Sequence, residues 1–130
     1  MTTKAAALLT ALGAFIATVP AAAHHSFSAE FDANSPIELT GVVTKVEWMN
    51  PHTFFYIDVE GENGEYQNWA LELGSPNGLM RRGWTRDSLK VGDVVTVTGS
   101  RARDGSFKGN ARSVVLANGK RLFNGQNEDS

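Results

Sequence analysis

Pro36-Ile37-Glu38-Leu39-Thr40-Gly41-Val42-Val43-Thr44-Lys45-Val46-Glu47-Trp48 is the stretch on which the fold turns. Ile37, Leu39, Gly41 and Val43 alternate with polar residues, the period of a strand with one buried face. The apolar phase then flips to Val42, Val46 and Trp48. One extra residue at a bulge turns every later side chain to the opposite face, and a glycine tolerates the sharp bend. The stretch predicts one long, strongly curved strand, bent around Gly41 and shared by two parts of a barrel.

Downstream, Asn50-Pro51 breaks this strand. His52 to Glu60 reads as a second strand, with Phe54 and Tyr56 on one face and Phe55 and Ile57 on the other. Asn63-Gly64 suits a hairpin turn, and Tyr66 to Leu73 forms the third strand. Ser75 caps a short helix that Pro76 opens and Gly83 ends, and Thr85 to Leu89 adds a further helical turn. Val94 to Arg101, Asn110 to Leu116 and Arg121 to Phe123 complete the strands, separated by Asp104-Gly105 and Asn118-Gly119 turns. The fold class is therefore all-β. The order of three meandering strands, a short helix and a hairpin is that of an OB-fold-like barrel of five to six strands, with the helix between strands three and four. A plain sandwich is the competing arrangement, and the helix favours the barrel. The domain spans residues 36–123, and residues 124–130 read as a polar, disordered tail.

Upstream, Lys4 precedes an apolar run from Ala5 to Val19, then Pro20 and small residues at Ala21 and Ala23. These are the three parts of a secretory signal peptide over residues 1–23, too short in its apolar run to span a bilayer. Cleavage after Ala23 gives a periplasmic chain of 107 residues, a single domain, preceded by an arm over residues 24–35. No second apolar run follows, so no membrane span is expected after leader removal. The chain contains no cysteine, which excludes thiolate metal sites, thiol catalysis and disulfides. The mature charge of 11 bases against 14 acids opposes a nucleic-acid role, which needs a basic surface. Residues 24–72 hold nine acids and one base, and the rest of the chain is basic; interleaved strands mix the two halves.

After such a cut the mature chain begins with His24, which presents an α-amine and an imidazole on one residue. His25 follows it, and His52 lies at the loop joining strands one and two, beside the ligand-binding edge of an OB-fold. Imidazoles and an amine suit Cu(II), so His24, His25 and His52 are the candidate metal ligands and copper the candidate cofactor. In the competing view the two N-terminal histidines are idle scars of the leader.

The candidate ligand or partner face is Trp48, Asn50, Tyr56, Trp69, Arg81, Arg82 and Trp84. Aromatics serve as stacking platforms and the arginines can grip an anion, although a small barrel also needs large side chains for its core. No nucleophile elbow, phosphate loop or dinucleotide fingerprint occurs, and nothing argues for an enzyme.

The motifs His24-His25-Ser26-Phe27, Glu30-Phe31-Asp32, Val46-Glu47-Trp48, Asn50-Pro51-His52, Glu72-Leu73-Gly74-Ser75-Pro76-Asn77 and Arg81-Arg82-Gly83-Trp84 together resemble a family of short exported bacterial proteins classed as a domain of unknown function. The resemblance covers the whole mature chain and implies export and one domain; it brings no activity. The terminus alone also resembles copper-dependent polysaccharide monooxygenases and periplasmic copper carriers, which start with a copper-binding histidine. Only His24 maps onto that pattern, with His52 or His25 as second imidazole. The expected function is a periplasmic binding protein that takes Cu(II) through its terminal histidine, as a carrier or accessory. The alternative is a metal-free OB-fold adaptor for an oligosaccharide, a peptide or an exported protein partner.

Overall fold

The computed structural model of the protein describes residues 26–125. A one-turn helix, α1 (Phe27–Glu30), runs directly into β1 (Phe31–Glu47). There follow β2 (Phe54–Glu60), β3 (Tyr66–Glu72), α2 (Pro76–Arg81), β4 (Val94–Ala102), β5 (Lys108–Leu116) and β6 (Arg121–Phe123).

The long first strand lies between two neighbours. Its first part pairs antiparallel with β4, from Phe31↔Ala102 to Val42↔Val94, and its second part with β2, from Val42↔Asp58 to Glu47↔Phe54. Val42 belongs to both ladders. The expected phase flip is present, but it falls at Thr44, the extra residue between Val43↔Ile57 and Lys45↔Tyr56, rather than at Gly41. Val42 accordingly stays on the outside, 40% exposed, while Val43 is buried. Gly41 instead permits close approach. A Cβ there would lie 2.4 Å from the Asp58 carbonyl oxygen, so only a glycine lets the strands cross this closely.

β2 pairs antiparallel with β3, and β4 with β5. A short parallel ladder, Ala70↔Lys108, Leu71↔Gly109 and Glu72↔Asn110, joins β3 to β5. The strands thus form a ring in the order β1-β2-β3-β5-β4, with β6 attached to the far end of β5 through Ser113↔Phe123 to Val115↔Arg121. This ring, with α2 between β3 and β4, is the OB-fold arrangement expected from the sequence.

Alternation places Val43, Phe55, Ile57, Leu71, Val95, Val97 and Val114 inside the ring. α2 is started by Ser75, whose hydroxyl accepts the Gly78 N–H at 3.2 Å, and by Pro76 in its first turn. The helix and the segment after it bring Leu79, Trp84 and Leu89 into the same core. Residues 85–89 form a turn rather than the expected helical turn, because the Ser88 hydroxyl takes the Thr85 N–H at 2.8 Å and closes the loop on itself.

Two expectations at the ends are corrected. Of the 24–35 arm, residues 27–35 belong to the folded domain. The polar run Asp32-Ala33-Asn34-Ser35 reads as a loop, yet Phe31 is 2% exposed and pairs with Ala102. The run is absorbed as a register break between Asp32 and Pro36. At the other end Asn124, placed in the expected tail, belongs to the fold. Asn124 is buried, its backbone N–H donates to the Arg112 carbonyl at 2.9 Å, and its side-chain amide donates to the Ala111 carbonyl at 2.7 Å. Residues 126–130, the rest of the expected tail, lie outside the described residues, as do the expected signal peptide and the start of the expected arm.

Candidate functional site

His52 sits in the segment between β1 and β2, just after the cis Asn50–Pro51 peptide. The next residue, Thr53, is anchored to the start of the α2 loop: its N–H donates to the Gly74 carbonyl at 3.0 Å, and its carbonyl accepts the Leu73 N–H at 2.8 Å. These two bonds set His52 against the end of β3. Its Nδ1 lies 3.3 Å from the Leu73 carbonyl oxygen and 3.4 Å from Glu72 Oε1, with the imidazole 39% exposed and Glu72 nearly buried. A carbonyl oxygen can only accept, so this contact requires the proton on Nδ1, and the lone pair of the neutral ring then sits on Nε2. Glu72 stands in the sequence as the first residue of a motif but not as a candidate site residue, and only its proximity in space to the Asn50-Pro51-His52 turn links it to His52. Among the described residues no three His, Asp or Glu side chains come together as a metal cluster. The other two candidate ligands, His24 and His25, lie outside the described residues.

A second polar group lies on the outer surface of the ring. Tyr56 donates its hydroxyl to Glu47 Oε2 at 3.1 Å, and Glu47 also pairs with Lys45. The Lys45 hydrogen bond holds the Glu47 carboxyl below the usual carboxylate range. Glu47 in turn raises the Lys45 ammonium. Burial, followed by the bond to Glu47, pushes the Tyr56 phenol up. Farther along the same face, Lys108 pairs with Glu30 of α1, and its ammonium lies 5.8 Å from the Phe31 ring centre and 5.7 Å from that of Phe54. Lys108 therefore ties α1 to the strand that His52 precedes.

The expected ligand or partner face does not come together as one patch. Trp84 is 2% exposed, and its indole N–H donates to the Phe123 carbonyl at 2.9 Å, so it is a core residue and not a partner-facing one. Trp69 is also core, 5% exposed beneath Phe107 and Arg101, whose guanidinium stacks 5.2 Å from its ring centre. Both indoles are candidates for the face from the sequence, yet Trp69 alternates with Leu71 and Leu73 on the buried face of β3, whereas Trp84 lies outside any strand and has no such period. Trp48 is half-buried against the core, Tyr56 is half-buried in the Glu47 group, and Asn50, Arg81 and Arg82 are exposed.

A family model for a family of unknown function, DUF6152, matches residues 13–111. The chain belongs to DUF6152. No curated protein matches its sequence. Among solved structures, the fold of this DUF6152 protein is similar to that of Rim1, a mitochondrial single-stranded DNA binding protein from S. cerevisiae, with a TM-score of 0.50. The likeness covers 64% of the DUF6152 chain and 93% of that chain at 10% identity, and it concerns the fold alone. No helix among the described residues is long and apolar enough to cross a membrane.

Proposed function

We propose that this DUF6152 protein is exported to the periplasm through a cleaved leader and there binds Cu(II) as a carrier or accessory. The ligands are the α-amine and imidazole of His24, with the Nε2 atom of His52 and, as a further donor, His25. The observation that carries this reading is the seating of His52. Its Nδ1 rests on the Leu73 carbonyl beside Glu72, and metal-binding histidines are commonly oriented in this way through their other ring nitrogen. Lys108 pairs with Glu30 of α1 and lies over the ring of Phe54, two residues beyond His52, which puts α1 on the same side of the ring of strands as β2. Imidazole and amine donors select copper over calcium or magnesium. Binding requires deprotonated ligands, so acid releases the metal. The slight excess of acids over bases opposes single-stranded DNA binding, the role named for Rim1, since nucleic-acid binding needs bases to neutralise phosphates.

The test is a copper titration of protein recovered from periplasm, with its N-terminus established by intact mass. The expected result is one tightly held Cu(II) per chain, lost in His24→Ala and weakened in His52→Ala, with the fold intact in both. Affinity unchanged in both variants overturns the site.

A second reading, a metal-free adaptor for a glycan, a peptide or an exported protein, is favoured by the exposed rings of Tyr66 and Phe107, 66% and 45% accessible. N-terminal sequencing separates the two. A mature chain that begins with alanine lacks the amine-imidazole chelate on His24.

A further inference from the structure

Opposite charges gather at the two ends of β3. The β2–β3 hairpin before it, residues 60–66, holds Glu60, Glu62 and Glu65 and no base, and all three are exposed. Tyr66 ends this hairpin with its ring in solvent. Beyond the other end, α2 and the turn after it present Arg81, Arg82 and Arg86, also exposed, with Asp87 as the one carboxylate of residues 76–89. None of these glutamates and arginines forms an ion pair with a described residue. Apolar groups accompany the arginines. The chain leaving β6 passes so close to Arg82 that a Cβ at Gly125 would lie 1.9 Å from its guanidinium carbon. Phe123 precedes that contact by two residues, and both it and Met80 are more than half exposed. Arginine, methionine and aromatic side chains are enriched at protein–protein interfaces. β3 is seven residues long, about 20 Å, and runs between the acidic and the basic groups. They cannot meet within one molecule, and a second copy brings them together.

We propose that the protein associates with copies of itself head to tail, the acidic β2–β3 hairpin of one molecule docking on the α2 arginines of the next. The guanidinium groups take the hairpin carboxylates, to which their paired N–H groups are matched. The Tyr66 ring of the incoming hairpin covers the apolar surface of Met80 and Phe123. A contact between two different patches of the same surface is heterologous, so it extends into short chains or closes into a ring. Exposed ion pairs are individually weak and are screened by salt, which makes the association low in affinity and salt-dependent. It uses no group of the proposed copper centre and stands without it.

The test is sedimentation of protein recovered from periplasm, with a chelator present to exclude metal bridging. A concentration series is run in about 20 mM and about 500 mM sodium chloride. In low salt the weight-average mass is expected to rise above that of one chain with concentration, and high salt to raise the Kd about tenfold or more. Glu62→Arg with Glu65→Arg, and separately Arg81→Glu with Arg82→Glu, are each expected to sediment as monomers. All four positions are exposed, so both double variants are expected to keep the native circular dichroism. Mixed together, they carry opposite charges on facing patches and are expected to associate again. A single-chain mass at every concentration in low salt, association undiminished in either double variant, association indifferent to salt, or a mixture that stays monomeric overturns the proposal.

Discussion

The backbone N–H of Gly74 donates to the side-chain oxygen of Asn124 across 2.7 Å, joining the end of β3 to the chain 50 residues later. The nitrogen of the same side chain donates to the Ala111 carbonyl, so one asparagine fastens the loop that enters α2, β5 and the exit from β6. Asn124→Ala leaves the part-buried Gly74 donor and the buried Ala111 acceptor without this partner at once. It is expected to lower stability by about 2–4 kcal/mol, read from urea unfolding. Shortening the chain to end at Gly125 is expected to leave the midpoint unchanged.

Phe31 is the second anchor. It is 2% exposed, lies against Phe27 and sits beneath the Lys108 ammonium. Phe31→Ala is expected to cost about 3–5 kcal/mol, as for other buried phenylalanines. A chain cut to begin at Pro36 should suffer at least as much. Equal stability of the cut and full-length proteins would return this segment to the role of a loose arm.

Two glycines separate steric from conformational demands. A Cβ at Gly99 would lie 1.9 Å from the Asn110 carbonyl oxygen, in the bulge where β4 and β5 shift register. At Gly64 nothing lies within 4 Å, and only the positive φ of 79° resists a side chain. Gly64→Ala is expected to cost about 1–2 kcal/mol. Gly99→Ala should cost clearly more, since backbone must move. Thermal unfolding of the two variants side by side gives the ranking.

The Glu47 group predicts two pH effects of known sign. The Glu47 carboxyl is held below its usual range, chiefly by Lys45. Its contribution is therefore present above the unfolded carboxylate pKa of about 4.3 and is lost as the pH falls through the lower folded value. The Tyr56 phenol is raised, chiefly by burial and then by Glu47. Its contribution is complete below the unfolded value of about 10 and is lost as the pH rises through the folded one. In an absorbance titration at alkaline pH, Glu47→Gln is expected to let Tyr56 ionise earlier, and Tyr56→Phe to delete that transition.

Much of this architecture is legible along the chain because alternation is a local signal. The apolar phase change between Val43 and Val46 announces a bulge, and Ser75-Pro76 announces α2. The same reasoning misplaces the bulge by three residues, since a glycine that is needed for strand crossing looks the same as one that makes a bend. Phe31 escapes because Glu30 and Asp32 flank it, and Asn124 because it is itself polar and opens a polar run; their burial is decided by β4 and β5, not by their neighbours in sequence. The seating of His52 on Leu73 arises only when β3 closes against the β1–β2 segment. No spacing in the sequence encodes it.

The short strand β6 has one further consequence. Asn124 donates its N–H to β5, so strand alternation directs the carbonyl of Phe123 away from the sheet, at an edge that another chain could extend. That oxygen is already taken by the indole of Trp84. The edge is three residues long, carries Arg121 and has its outward carbonyl at Phe123 occupied by a side chain of the same molecule. A buried tryptophan thus occupies one of the outward backbone groups through which a further strand would pair with this edge.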